Sequence, residues 1–417
     1  MNIGLYTLTS PLHDEAAVNA VSSAFLAEIE KEAGIAFDFK GPDFSDYGSH
    51  DLDLIFVRTG GTEGLFKEIL PKLDGTIRIL TSGKSNSLAA SMEILSYLNQ
   101  HGRSGEIIHG SISYIAERIS TSAKVSAAMD KLKGSRLGII GRPSDWLIAS
   151  KTDRPVIAQK LGITLVDIPV SDIITEFGKA KLSALSHEAE DAISNFEKTA
   201  PESLKKYAEG ALKIYMALKS IIARHNLSGL TLRCFDLLDS LGNTGCLALA
   251  ILNSEGIPAG CEGDVPALIS MAIGNALTGV SGFQANPSRI DPETGEILFA
   301  HCTIPLNMLK SYGFNTHFES GIGIAICGQV PEGDVTIFKV AGDLSRTFCW
   351  EAELTGNQSE TDLCRTQMVL KLDGTPSERR HVCKNYFLKN PIGNHHIIFP
   401  GKCKALFEMF RQYIDRS

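Results

Sequence analysis

The texture of this chain changes once, near Gly282, and that change constrains the fold more than any single motif. Before it, strand-like and helix-like segments alternate. "MNIGLYTL", "LDLIFVRTGG" and "IRILTSG" are apolar runs that end in turn residues, and the helical pattern "NSLAASMEILSYLNQHG" follows the third. Near-continuous apolar runs suit strands buried on both faces, so the alternation predicts a parallel sheet with helices on its faces. A second unit of the same kind opens at "KGSRLGIIGRPSDWLIAS", where the strand Arg136–Ile140 runs into a Gly-Arg-Pro turn. "ITLVDIPV" reads as its next strand. Two amphipathic helices follow, over roughly Ser186–Phe196 and Pro201–His225, the second with Pro201 near its first turn. "GLTLRCFD", "GCLALAILNSEG" and "IPAGCEGD" then repeat strand, helix and strand.

After Gly282 the runs are short, β-rich and closely spaced: "ILFAHCTI", "GIGIAICGQV", "VTIFKVAG", "FCWEAELTG", "TQMVLKL" and "HHIIFPG". Gly, Pro, Asn and Asp punctuate them, and no long helix is expected before "KALFEMFRQYID". An antiparallel barrel or sandwich is the natural reading. The expected architecture is two Rossmann-like, doubly wound α/β domains, 1–125 and 126–280, followed by a C-terminal antiparallel β-barrel domain, 281–417. A length of 417 residues accords with several cores rather than one.

Charge and composition exclude some partners. A net charge of −8 offers no basic footprint, so neither nucleic acid nor an anionic membrane is an expected partner. No apolar run approaches the ~20 residues that span a bilayer. "MNIGLYTLTS" lacks the basic flank and apolar core of a secretory signal. The nine cysteines all lie after position 230 and form no CxxC, which suits reduced thiols and a cytoplasmic location. "SGKSNS" follows a strand as a P-loop would, but Arg78 stands where that motif needs its first glycine. "LGIIGRPS" lacks the spacing of a dinucleotide fingerprint, and no GxSxG occurs.

What remains is a constellation. Five of the eleven histidines follow position 300: His301, His317, His381, His395 and His396. "NTHFESG" pairs His317 with Glu319, and "GNHHIIFPG" sets two histidines in succession, so only one of them can face a given side of a strand. "CEGD" places Glu262 after a short strand, where parallel α/β proteins bind ligands, with Asp264 as a helix cap or a support for a ligand.

In order and spacing these segments resemble the L-fucose isomerase and L-arabinose isomerase superfamily. "GCEGD" looks like the segment whose glutamate binds metal, at Glu262. "LTGVSGFQANPS" looks like the segment of the second carboxylate, at Asn286, 24 positions on. "FAHCTIP" looks like the strand with a ligand histidine, at His301, and "GNHHIIF" like the terminal double-histidine strand, with His395 or His396 as ligand. The resemblance covers Arg233 to the end; before that it rests on architecture. It implies a metal-dependent aldose–ketose isomerase of carbohydrate metabolism, working through a metal-bound enediol with Mn²⁺ or another divalent cation, and a homo-oligomer. The chain departs from the pattern at Asn286, because an amide can ligate a hard cation but cannot serve as a base. Proton transfer then falls to Glu262, Asp236 or Glu319, with Asn286 as a neutral ligand or a contact to a substrate hydroxyl. Arg233 and Arg365, with Glu319, are candidate substrate contacts, and the arginines would suit an anionic sugar. Two alternatives keep the same residues: a lyase or epimerase through the same enediolate, and a sugar-binding protein without catalysis.

Overall fold

The computed structural model describes residues 2–182 and 185–416. The chain divides into two compact units, Met1–Asp130 with Met409–Ser417, and Lys131–Glu408.

The first unit is built on five strands: β1 (Ile3–Leu8), β2 (Phe37–Gly41), β3 (Leu52–Val57), β4 (Ile77–Leu80) and β5 (Gly105–Ile108), in the order β2-β1-β3-β4-β5 and all parallel. Strand pleating explains the uninterrupted apolar runs. In β1 and β3, Tyr6, Leu8, Ile55 and Val57 enter one core, while Ile3, Leu5, Leu52, Leu54 and Phe56 enter another. The "SGKSNS" loop joins β4 to the helix Ser87–Gln100, and Ser85 accepts a bond from the Gly60 amide at 2.7 Å.

The second unit begins with four parallel strands, β6 (Arg136–Ile140), β7 (Thr164–Ile168), β8 (Gly229–Leu232) and β9 (Ala259–Cys261), in the order β7-β6-β8-β9. Eight strands follow: β10 (Phe283–Asp291), β11 (Glu296–His301), β12 (Ser311–Asn315), β13 (Ala325–Gln329), β14 (Gly333–Val340), β15 (Thr347–Gln358), β16 (Thr366–Leu372) and β17 (His396–Pro400). Six of them close an antiparallel barrel in the order β10-β11-β16-β15-β14-β17, sealed where Ala285 of β10 pairs with His396 of β17. β12 and β13 form a separate hairpin.

Two parts of this unit differ from the sequence expectation. β10 was not foreseen because "ANPSRID" is polar and contains Pro287. The ladder accommodates that residue through a register shift between Pro287 and Arg289. A short helix, Pro376–His381, continued by a π turn, Val382–Phe387, interrupts the β texture; Thr375 and Glu378 start it with reciprocal capping bonds.

The helix Val265–Thr278 joins the two halves of the unit. It is apolar all round and buried along almost its whole length, the pattern of a helix enclosed on every side. It packs against β8 and β9 of the parallel sheet and against β14 and β17 of the barrel. Gly274 permits this approach, since a Cβ there would lie 1.9 Å from the Phe399 ring. The helix therefore holds its own N-terminus, and Glu262 just before it, at a set distance from the barrel strands. Among the described residues no helix is long and apolar enough to cross a membrane.

Candidate metal centre

The turn after β9 puts a carboxylate where ordinary backbone would not. Glu262 has φ of +64° and Gly263 +70°, two successive left-handed residues that reverse the chain. Only glycine fits at 263, because a Cβ would sit 2.4 Å from the Arg142 carbonyl oxygen. A left-handed glutamate costs roughly 1–2 kcal/mol, a strain that persists only where neighbours impose it. Here the Glu262 carbonyl accepts from the Ser144 amide at 2.9 Å, and the Cys261 amide donates to Gln284 Oε1 at 2.8 Å, tying the turn to β10. Asp264 then caps the buried helix, accepting from the Ala267 amide at 3.0 Å.

Two barrel histidines converge on this carboxylate. His301 is the last residue of β11 and His395 immediately precedes β17. Glu262 Oε1 lies 3.7 Å from His301 Nε2 and 3.5 Å from His395 Nε2, and one donor atom from each residue falls within 4.8 Å of the others. Each ring is held from behind. His301 Nδ1 is 3.1 Å from Thr303 Oγ1, and His395 Nδ1 is 2.9 Å from Asp264 Oδ2. That arrangement leaves both Nε2 atoms for the space in front of Glu262, as orienting partners do for metal-ligating imidazoles. His395 Nε2 is buried without a hydrogen-bond partner. A buried ring nitrogen without a partner, beside a carboxylate and a second imidazole, is a donor set that fits a divalent cation and leaves coordination positions open.

The electrostatics follow from burial and neighbours. Burial alone would raise the Glu262 carboxyl, but the rings of His301 and His395 outweigh it and hold the group well below the carboxylate range. Burial pushes His301 down, favouring the neutral ring. For His395 burial acts downward too, but Asp264 and Glu262 overcome it and the ring is pushed up to about 9. Lys339, wholly buried in β14, places Nζ 3.8 Å from Asp264 Oδ2. Its charge helps to hold Asp264 down to about 2 against the burial that would raise it, so an anion stands behind His395.

The remaining sequence candidates are dispersed. His396 does not share the centre: its Nε2 lies 2.8 Å from the Tyr386 hydroxyl, its Nδ1 2.9 Å from the Asn394 carbonyl, and its ring packs among Phe299, Phe348 and Phe387. Asn286 lies on β10, where its amide oxygen accepts from Asn394 Nδ2 at 3.1 Å, next to the residue that bears the His395 ring. Arg233 is a brace, with Nε on Asp236 at 2.8 Å, Nη1 on the Pro143 carbonyl at 2.7 Å and Nη2 on Asp145 at 2.8 Å. Asp236 is thereby committed to Arg233. Glu319 is raised by partial burial and by the negative charge of Glu262. Arg365 donates Nε to the Thr316 carbonyl at 2.9 Å and stacks on Phe318. His317, pushed down to about 4 by burial, sits beside Phe235 with its Nδ1 3.0 Å from Ser320 Oγ.

Trp146 escaped the sequence reading. It lies in the loop after β6, half exposed, and donates its indole N–H to Glu262 Oε2 at 2.7 Å. The only signal was its place at the carboxyl end of a parallel strand.

No family model matches the chain. Two curated relatives are similar to it, both sulfoquinovose isomerases. The one from Alkalicoccus urumqiensis is 23% identical over 290 residues, 65% of this chain and 61% of the relative. The one from Clostridium sp. (strain MSTE9) is 23% identical over 243 residues, 56% of this chain and 54% of the relative. The match thus spans less than two thirds of each relative.

Proposed function

We propose that this chain is an aldose–ketose isomerase for an anionic sugar, with a divalent cation held by Glu262, His301 and His395. The observation that carries the reading is the convergence of those three donors at the junction of sheet and barrel. The similarity to sulfoquinovose isomerases supports the reaction and suggests the substrate class, an aldose with a sulfonate at C6. A cation at these atoms would act as a Lewis acid toward the sugar's carbonyl and neighbouring hydroxyl oxygens.

The chain's own residues do the rest. Glu262 keeps its negative charge at any ordinary pH, so it binds rather than carries protons. Glu319, raised by partial burial and by the charge of Glu262, is the candidate base that takes the proton from C2 and returns it to C1, while the O2 hydroxyl proton passes to O1 as the enediol forms and collapses. Arg365 bonds to backbone carbonyls, so its charge is available to the sulfonate. Asn286, an amide in place of an acid, bonds a substrate hydroxyl.

The test is a panel of aldoses carrying no charge, a carboxylate, a phosphate or a sulfonate at C6, incubated with Mn²⁺-loaded protein in D₂O and followed by NMR. The expected result is deuterium uptake with appearance of the ketose, fastest for the sulfonated sugar. Uptake without a ketose would replace the isomerase by an epimerase or lyase, and no uptake on any sugar would reject catalysis through an enediol.

A further inference from the structure

The loop that carries Trp146 is pinned to the metal-binding turn at several points. Arg233 grips it through the Pro143 carbonyl and Asp145. Ser144 bonds the Glu262 carbonyl, and Gly263 lies directly under the Arg142 carbonyl. Gly141, at φ of +86°, lets the loop leave β6 against Arg233, since a Cβ there would stand 3.0 Å from the Arg233 Cβ. At its far end Trp146 is 51% exposed, yet its ring is set edge to face on Phe235, with centroids 4.8 Å apart and planes at 82°. Phe235 is set the same way on His317, at 5.4 Å and 80°. A half-exposed indole gains little from burial. What this braced loop achieves is the bond from Nε1 to Glu262 Oε2.

A carboxylate has two equivalent oxygens and can bind a cation through either or both. In Glu262 they are made unequal: Oε2 receives the indole N–H, and Oε1 faces the two histidines. We infer that Trp146 is a positioning residue that holds Glu262 in one-oxygen coordination and so keeps a coordination position free for substrate. This rests on the cation reading above. It also assigns the Arg233 brace a purpose, since Arg233 fixes the loop from which the indole reaches.

The chain's two tryptophans make the inference measurable. Trp350 lies in β15, with its ring under Lys404 and its N–H on the Asp373 carbonyl. In the Trp350→Phe protein, stripped of metal, added Co²⁺ should quench the remaining Trp146 emission and level off at one ion per chain. Trp146→Phe keeps a ring beside Phe235 and removes the donor. It should bind Mn²⁺ about tenfold more tightly, because the indole bond to Oε2, made with or without the ion, no longer keeps that oxygen off it. Its visible Co²⁺ absorption should fall as Glu262 takes the ion with both oxygens. Wild-type affinity and an unaltered Co²⁺ spectrum in Trp146→Phe, with quenching intact in Trp350→Phe, would overturn the inference and leave the cation site standing. If neither ion binds the wild-type chain, both fall.

Discussion

Glu262→Gln should weaken Mn²⁺ binding by at least about 100-fold and lower the proposed isomerase turnover by about 1,000-fold or more, since it removes the one anion from the proposed ligand set. Glutamine keeps the length of the side chain and can still accept from the Trp146 N–H, so the fold should survive. The left-handed backbone at position 262 also remains, because Ser144 and Gly263 impose it and neither is touched. Titration calorimetry with Mn²⁺ and initial rates on the best sugar measure the two effects separately. Affinity and turnover within threefold of wild type would remove Glu262 from the centre.

The second large effect is on pH. In the ion-free protein His395 is pushed up to about 9 by Asp264 and Glu262, against its burial. A cation must take the same Nε2 that carries this proton, so binding releases it. Below about 9 each fall of one pH unit should weaken Mn²⁺ binding roughly tenfold, giving about 100-fold between pH 8 and pH 6. Calorimetry in buffers of different ionisation enthalpy should count close to one proton released per ion in this range. The stability of the ion-free protein runs the other way. A raised histidine contributes fully below its ordinary value of 6.5 and loses that contribution as pH rises through about 9, so the ion-free melting temperature should decline over that window. His395→Ala should abolish both dependences. Binding that is flat from pH 6 to 8 would mean either that His395 is not a ligand or that its ring carries no proton there in the ion-free protein.

Much of this candidate centre is legible in the sequence because its chemistry sits at strand ends. Glu262 follows a three-residue strand and His301 ends another, and their residue types stand out against apolar neighbours. The choice between His395 and His396 was not legible. Alternation sends the two rings to opposite sides, and which side is the site depends on how β17 closes the barrel against β10. The strand that carries Asn286 was hidden by its polarity and by Pro287. Arg233 and Asp236 had the right types for substrate and proton chemistry, but three-dimensional packing spends them on a loop. Trp146 and Lys339 act through single contacts across long sequence separations, 116 residues from Trp146 to Glu262. No local spacing rule reports such a contact. In the fold, parallel strands were clear because both faces are buried, whereas the helical insertion at 376–387 was masked by its brevity.

The claim on which all of this rests is that one divalent cation sits between Glu262, His301 and His395. Anomalous diffraction from crystals soaked in Mn²⁺, recorded at the manganese edge, tests it most directly. One strong peak per chain is expected, about 2.0–2.3 Å from Glu262 Oε1, His301 Nε2 and His395 Nε2, with Glu262 Oε2 still bonded to the Trp146 indole. A peak elsewhere, or none at this point in crystals that bind manganese at other sites, would contradict it.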